Sequence, residues 1–442
     1  MNICRTNFDV IMRFLDKIIT YGLCLFVFLL PWQTRWIYKD AQINGGVWEY
    51  GRLSLYGTEI LLIVILILGV VRWLFQYRKM NKEERIQEIK SELKGIKLWI
   101  ILLVIWSAIT ILWSSDKLLA WYGWLRLAEG IGLLWLITQN SKFKIQNLGI
   151  ILVASGVVQS LLAIWQWVAQ WSFSSKWLGM AYLNPATFGV SIIDNGVGRF
   201  LRAYGSLSHP NILAGFLVVC LLLTLIMIIN EQSKKVVKLL FGVLAILTMG
   251  LFLTFSRAGW LTLFVCLFVY LIIYLLKKVR IRRLLWSVLL IIFVFGTLSW
   301  FYADLVKTRV VSEQRLEVQS NQERINAYSQ AWSIIKEHWL TGVGLSHYTL
   351  ALYQKNPVQE AWAYQPVHDA GLLTWAELGI VGLILFILII ISAFRYKSKF
   401  CLLLIVILLL GLFDHYFRSL YFGVMLWWLI LTLSYYQALE KH

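Results

Sequence analysis

Patterns for binding metals and nucleotides are missing from this 442-residue sequence. Its longer polar segments contain no Asp-x-Asp or Glu-x-Asp pair and no close cluster of His, Cys and Asp, so a mechanism that depends on Mg²⁺ or Zn²⁺ has little support. No P-loop or glycine-rich nucleotide fingerprint is visible. We therefore predict a protein without a metal ion or other cofactor, and one that ATP does not drive.

Cysteine is also scarce, and its placement argues against a disulfide framework. The cysteines lie near the N-terminus or inside apolar runs, not in the long polar segments. They are Cys4, Cys24, Cys220, Cys266 and Cys401. Neither paired nor metal-bound thiols are expected.

Charged residues make up only 14% of the chain, whereas 60% of its residues are hydrophobic. A soluble core cannot bury that much apolar surface. Lysine and arginine still outnumber aspartate and glutamate by 41 to 23, which gives a formal net charge of +18. In a soluble protein this excess would suggest nucleic acid. In a membrane protein it follows from basic cytoplasmic loops, so we expect contact with membrane lipids and not with nucleic acid.

Apolar runs close to twenty residues long recur along the chain, and such runs are typical of transmembrane helices. They predict an all-α polytopic membrane protein with about twelve spans, in which residues 1–442 form a single integral membrane domain. The predicted spans are 14–33, 55–75, 98–114, 119–138, 147–171, 210–229, 238–255, 258–276, 284–303, 368–394, 400–414 and 418–437.

The basic residues between these spans predict the orientation. They collect in alternate loops on the same side as both termini, and the positive-inside rule makes that side cytoplasmic. They include Arg78, Lys79, Lys82, Arg85, Lys142, Lys144, Lys234, Lys235, Lys238, Lys278, Arg280, Arg282, Arg283, Arg395 and Lys397. The longest polar segments, at 34–54, 172–209 and 304–367, then face the extracytoplasmic side.

Two segments outside the spans have helical periodicity. Residues 79–97 carry Ile86, Ile89, Leu93 and Ile96 at three- and four-residue spacing, which predicts an amphipathic helix on the cytoplasmic membrane surface. A regulatory partner could bind there, but simple packing at the interface is the commoner use of this pattern.

The large extracytoplasmic loop 304–367 is predicted to be helical, and it precedes the third-last span. A capping box at 320–323 comes before apolar residues at three- and four-residue spacing, and Gly342 and Gly344 supply a stop. The apolar positions are Ile325, Tyr328, Trp332, Ile335 and Trp339. We expect this loop to cap the membrane core.

Several arginines lie at the extracytoplasmic ends of spans. Arg202 precedes one span, Arg257 separates two apolar runs, and Arg324 lies in the loop helix. For Arg257 and Arg202, an interface anchor and an anion ligand remain comparable alternatives. Small neighbours beside Arg257, such as Gly259, suit close packing or the approach of a ligand. A planar guanidinium would match a diphosphate.

Histidines accompany the arginines. His209 and Asn211 lie at the start of a span, where they could cap its helix, and His368-Asp369 lies at the exit of the large loop. Imidazole titrates near neutral pH, so His368 is a candidate proton acceptor. A hydrogen-bonded loop histidine is the commoner case, and His415 could be a residue of the outer interface.

In order and spacing, these motifs resemble the O-antigen ligase family, which includes O-antigen polymerase-like proteins. The similarity covers residues 200–385, from Arg202 and His209 through Arg257 and Arg324 to His368. It also includes Glu-Leu-Gly-Ile-Val-Gly at 377–382. The family commonly has His-Asn where this chain has His368-Asp369.

The resemblance implies a glycosyltransferase C-like membrane enzyme of the bacterial cytoplasmic (inner) membrane, with an extracytoplasmic active site. Such an enzyme moves a glycan from undecaprenyl diphosphate to an acceptor hydroxyl, on lipid A–core or another surface glycan, without a metal. His368 would be the catalytic base. The implied substrate-binding residues are Arg202, Arg257, Arg324, His209, Asn211 and Asp369.

Two other functions remain open at this point. A polysaccharide polymerase of the same family would use the same donor and a growing glycan as acceptor. A secondary transporter or flippase would also need many spans, but transporters tend to place ionisable groups near the membrane midplane and to contain repeated halves. The notable groups here lie at the ends of spans, and no repeat is evident.

Overall fold

A computed structural model of the chain describes residues 2–92, 94–139, 145–277, 281–311, 315–396 and 398–439. The described part is a helical bundle with short strands at one end. Five predicted cytoplasmic residues and one residue of the predicted amphipathic segment lie outside the described residues. They are Lys142, Lys144, Lys278, Arg280, Lys397 and Leu93.

The helices follow the apolar runs of the sequence. In chain order they are α1 Asn2–Leu29, α2 Gly57–Lys79, α3 Lys82–Glu92, α4 Ile96–Thr110, α5 Lys117–Gln139, α6 Ile145–Ala169, α7 Pro210–Asn230, α8 Lys234–Leu253, α9 Arg257–Lys277, α10 Ile281–Phe301, α11 Ala303–Val311, α12 Arg315–His338, α13 Tyr348–Lys355, α14 Ala370–Arg395, α15 Cys401–Gly411, α16 Tyr416–Ser419 and α17 Tyr421–Leu439. Each predicted span coincides with one of these helices.

Seven of the described helices are long and apolar enough to cross a membrane, namely α2, α6, α7, α8, α9, α10 and α14. Three shorter apolar helices accompany them, namely α4, α15 and α17. The prediction of a helical polytopic membrane protein is thereby confirmed, whereas the count of twelve spans stays a prediction.

Helix α7 forms the centre of the bundle. It is apolar on every side, and 94% of its most apolar 18-residue window is buried inside the protein. A helix that is hydrophobic all round is stable only when other apolar surface or lipid surrounds it. Here α6, α8, α9 and α15 surround it. The N-terminus of α7, which carries His209 and Asn211, is therefore held in a fixed position.

Short strands and helices cover one end of the bundle, which we call the capped end. The strands are β1 Arg35–Lys39, β2 Gln42–Ile43, β3 Gly46–Val47, β4 Leu53–Tyr56, β5 Ile192–Asp194 and β6 Arg199–Leu201. They pair as antiparallel hairpins, β1 with β4, β2 with β3 and β5 with β6. The sequence prediction had no strands, because four of the six are only two or three residues long and the other two, β1 and β4, lack a strict alternation of apolar and polar residues.

The N-terminal hairpins and the large loop pack together at the capped end. Nδ2 of Asn44 donates to the backbone oxygens of Pro357 and Gln359, at 2.7 Å each. A second apolar core lies beneath this contact and includes Trp48 and Ile335. The segment 304–367 is therefore a packed helical layer, as predicted, although α12 begins at Arg315 and not at the predicted cap near Ser320.

Helix α14 is broken at Gly379, whose φ of +67° and ψ of −174° are not helical. The break releases backbone carbonyls in a buried place, where an unpaired carbonyl is costly. The loop after α12 fills this need, because the N–H groups of Val343 and Gly344 donate to the carbonyls of Ala376 and Glu377, both at 2.9 Å. The indole of Trp106 donates to the carbonyl of Leu378 at 2.7 Å.

Two tests address this architecture. The first concerns orientation. If the capped end is extracytoplasmic, a membrane-impermeant thiol reagent applied to intact cells will label Gln319→Cys, whose side chain is exposed there. It will not label Gln87→Cys in α3, which lies beyond the opposite end of α2. Labelling with the reverse pattern would place the capped end in the cytoplasm.

The second test concerns the break in α14. A Cβ added at Gly379 would lie 2.1 Å from the carbonyl oxygen of Leu340, and the positive φ disfavours any other residue. We expect Gly379→Ala to lower stability in detergent by at least about 1–3 kcal/mol, the usual cost of such backbone strain. Gly242→Ala is the matched control, since nothing lies within 4 Å of its added Cβ. Equal melting temperatures for the two variants would contradict this account.

Candidate active site, a cationic cavity at the capped end

A cavity of about 600 Å³ opens at the capped end, where the ends of several helices meet the loops. Among the described residues, four arginines and one glutamate line it, so this part of its lining is cationic. The charged and titratable lining residues are Arg202, Arg257, Arg309, Arg324, Glu323, His209 and His368. Asn211, Asn321 and Gln365 add neutral polar groups.

Arg202 forms the base of this cavity and is 4% exposed. Its Nε donates to the carbonyl of Thr254 at 2.8 Å, and its two terminal nitrogens donate to Ser191 Oγ at 2.8 Å and Asn211 Oδ1 at 2.9 Å. These three neutral oxygens hold the guanidinium in one orientation. Asn211 therefore acts on the cavity through Arg202 as well as lining it.

The turn between α8 and α9 positions the other arginines. Phe255 has a φ of +46°, which is unusual for a bulky residue. This conformation presents two consecutive carbonyls to the cavity side, that of Thr254 to Arg202 and that of Phe255 to Nε of Arg309, at 3.1 Å. Directly after the turn, Arg257 begins α9 and donates to Asn321 Oδ1 at 3.3 Å. The turn thereby brings three cationic side chains to one place.

His209 caps the N-terminus of α7. Its Nδ1 accepts a hydrogen bond from the backbone N–H of Asn211 at 3.1 Å. Burial, together with the positive charge of Arg202, lowers the pKa of His209 to about 3, although the carboxylate of Asp414 opposes the shift. The ring is therefore neutral near pH 7, and because Nδ1 is an acceptor its proton is on Nε2. His209 can donate one hydrogen bond to a ligand, but it cannot serve as a base.

His368 lines the cavity with 28% of its side chain exposed. Its Nδ1 is 3.9 Å from Asp414 Oδ1, too far for a hydrogen bond, and this atom has no hydrogen-bond partner among the described residues. The centroid of its ring is 5.3 Å from that of His415. The carboxylate of Asp414, on the chain segment that joins α15 to α16, therefore lies near Nδ1 of His368.

Asp414 and His415 are both buried at this point. Burial alone would raise the pKa of Asp414, but His368, His415 and His209 surround the carboxyl and hold its pKa well below the usual range. Burial lowers the pKa of His415 to about 4, against the effect of Asp414. The cluster therefore contains a carboxylate and a neutral imidazole near pH 7. His415 is 5% exposed, so its prediction as an outer interface residue was wrong.

The structure brings six of the seven predicted site residues into the cavity, namely Arg202, His209, Asn211, Arg257, Arg324 and His368. Asp369 is the exception. Its Oδ1 accepts from the backbone N–H of Leu372 at 2.7 Å, so its side chain caps α14 and does not line the cavity. The carboxylate near His368 is that of Asp414, 46 residues further along the chain than His368.

Sequence reasoning missed Arg309 and Asp414. Arg309 lies in α11 among other charged loop residues, where no local pattern distinguishes a ligand from a solvated side chain. Asp414 ends an apolar run, and its nearness to His368 arises only from the packing of α14 against α15 and α16.

The structure does not test the prediction that the chemistry needs no metal ion. His368, Asp414 and His415 offer ligand atoms within 4.8 Å of one another, so these residues could hold a metal ion.

The bundle and its cavity define an integral membrane protein that can hold an anion of several charges at the ends of its helices. Residues 242–387, about a third of the chain, match the family described as O-antigen ligase. The resemblance is thereby confirmed. The match includes Arg257, Arg309, Arg324 and His368. No curated protein matched the chain.

The family match indicates a glycosyltransferase-like enzyme with activity of the O-antigen ligase or polymerase type. Lipid-linked glycans and their acceptors are the general substrates of such an enzyme. The residues that line the cavity allow a test for which neither the donor glycan nor the acceptor has to be known.

We expect the purified protein to bind inorganic diphosphate, and Arg257→Gln to weaken this binding about 10- to 100-fold. The reason is the loss of one charge-assisted contact, which contributes roughly 1.5–3 kcal/mol. Arg199→Gln is the matched control, because Arg199 is an exposed arginine of β6 that does not line the cavity. Calorimetry at fixed ionic strength would measure both affinities. Equal weakening in the two variants would mean that only overall charge matters.

Proposed function

We propose that this protein is an O-antigen ligase-like glycosyltransferase, which transfers a glycan from undecaprenyl diphosphate to an acceptor hydroxyl. The acceptor would be lipid A–core or another surface glycan, and the reaction would take place at the outer face of the bacterial cytoplasmic membrane. One observation carries this proposal: the arginines that suit a diphosphate line the same cavity as His368, a group that can accept a proton.

In this mechanism the arginines stabilise the leaving group. The bond between the anomeric carbon of the glycan and the diphosphate oxygen breaks, and the electron pair leaves with the diphosphate. Negative charge therefore develops on that oxygen, which Arg202, Arg257 and Arg309 could stabilise without reorganising, because the protein already holds each guanidinium in place. Arg324, on α12, also lines the cavity.

His368 would act on the acceptor. The acceptor oxygen forms the new bond to the anomeric carbon and loses its proton to His368, so that atoms and charges balance. Nδ1 faces Asp414, which leaves Nε2 as the nitrogen that accepts this proton. The negative charge of Asp414 would orient the ring and stabilise its protonated form. The leaving group is already activated, so the proposed transfer requires neither a nucleotide nor a metal ion.

A polymerase is the second candidate, because it differs only in its acceptor. A growing glycan, itself linked to the lipid diphosphate, would take the place of lipid A–core. The family match supports both activities equally. Purified donor offered with lipid A–core alone, or with a second molecule of donor alone, would separate them by which product forms.

A transporter or flippase has less support. The charged groups of the cavity lie at one end of the bundle, next to loops, and not halfway along the helices where transporters place their sites.

The test of the mechanism is the transfer rate of His368 variants. General-base catalysis contributes roughly 10²–10⁴ in rate, so we expect His368→Ala to lose about that factor while keeping its melting temperature and its affinity for diphosphate. His368→Gln should be equally impaired, because an amide keeps a hydrogen bond but cannot accept the proton.

The assay would contain purified protein, lipid-linked donor, acceptor and EDTA. Near-normal transfer by His368→Gln would reduce His368 to a residue that only binds substrate. Transfer that stops in EDTA and returns with added Mg²⁺ would show that the chemistry depends on a metal ion, contrary to the proposal.

A further inference from the structure

A group of potential metal ligands lies behind the cationic cavity. One ring nitrogen of His368, a carboxylate oxygen of Asp414 and one ring nitrogen of His415 all lie within 4.8 Å of one another. His368 Nδ1 is buried without a hydrogen-bond partner among the described residues, although it faces a carboxylate at 3.9 Å. In the tautomer with its proton on Nε2, Nδ1 of His368 has a lone pair that faces the carboxylate, and a cation between the two groups would satisfy both.

His415 is oriented in the way that metal-binding histidines usually are. Its Nδ1 is 2.6 Å from Oγ of Ser419, and this hydrogen bond fixes the ring and leaves Nε2 as its free ligand atom. Histidines that bind metal commonly form such a bond with their other nitrogen, and it also sets their tautomer. The ring is held from a second side by Tyr50, whose centroid is 6.0 Å away.

We propose that His368, Asp414 and His415 form an inhibitory binding site for Zn²⁺ or a similar late first-row metal ion. Two imidazoles and one carboxylate suit zinc, whereas Mg²⁺ and Ca²⁺ prefer oxygen ligands. Ligand atoms of a tetrahedral zinc site are about 3.4 Å apart, given bonds of roughly 2.0–2.1 Å. No pair of donors would therefore have to approach by more than about 1.4 Å, and His368 Nδ1 and Asp414 Oδ1, which are 3.9 Å apart, would approach by about 0.5 Å through side-chain rotation.

Inhibition follows from the tautomer of His368. A neutral imidazole that binds zinc through Nδ1 has its proton on Nε2, the nitrogen that would otherwise accept the proton of the acceptor hydroxyl. The metal would also remove Asp414 as the partner of the protonated ring. This part of the inference rests on the proposed function, whereas the binding site itself does not. Zinc binding and transfer can therefore be measured separately.

Binding should be measured first, on purified protein from which any histidine affinity tag has been removed. We expect one high-affinity Zn²⁺ per chain by equilibrium dialysis, and visible absorption bands of tetrahedral cobalt when Co²⁺ replaces zinc. His415→Ala should lose both signals. His338→Ala should keep both, because His338 is exposed and outside the cluster.

A milder variant tests the site in case His415→Ala does not fold. Ser419→Ala removes only the hydrogen bond that orients His415, and the loss of such a partner usually weakens metal affinity about 10- to 100-fold. Zinc affinity that is unchanged in both Ser419→Ala and a folded His415→Ala would overturn the site. A lower number of Zn²⁺ ions bound per chain in His338→Ala would also overturn the site.

Activity is the second readout. We expect Zn²⁺ at its binding concentration to inhibit transfer, EDTA to restore it, and Ser419→Ala to need about 10- to 100-fold more zinc for the same inhibition. Zinc that binds at the cluster and leaves the rate unchanged, or raises it, would overturn the inhibitory role. A protein that binds zinc but transfers no glycan under any condition would count against the proposed function and leave the metal site standing.

Discussion

Cationic side chains at the ends of membrane helices must be held by oxygen atoms, and the site depends on how this protein supplies them. Two consecutive carbonyls, those of Thr254 and Phe255, receive hydrogen bonds from the two most buried arginines of the cavity. A regular helix could not offer both, because its carbonyls are used within the helix. The positive φ of Phe255 makes them available. The short link between α8 and α9 thus sets the geometry of the anion site, and it does so through backbone carbonyls and not through side chains.

The break in α14 likewise fixes the position of a cavity residue, in this case His368. His368 lies just before α14, and its position depends on how that helix is anchored. The loop at 339–344 pairs with the carbonyls released at Gly379, and Arg418 donates to Thr374 Oγ1 at 3.0 Å. Arg418 also lies 3.6 Å from the buried carboxylate of Glu377. The large loop, α14 and the segment after α15 are therefore joined, and His368 and Asp414 are held near each other as a result.

The sequence predicted the bundle well, because apolar runs report directly on burial in lipid or protein. It also singled out several residues that line the cavity, because His209, Arg257 and His368 each lie at or just before the start of a helix, and Arg202 lies in the segment that leads into α7. Prediction failed where function depends on contacts between distant segments. The nearest carboxylate to His368 seemed to be its neighbour Asp369, but a residue that directly precedes a helix is in position to cap it, and Asp369 does so. Asp414 could be found only from the packing of three helices.

The contact between the N-terminal hairpins and the large loop has a consequence for biogenesis. Asn44 bonds to Pro357, 313 residues further along the chain. At a synthesis rate of about 5–20 residues per second, the hairpins exist for roughly 15–60 s before that partner is made. Isolated two-stranded hairpins are only marginally stable in water. The capped end therefore assembles after most of the bundle has entered the membrane, and the nascent enzyme lacks a complete cavity until synthesis is nearly finished.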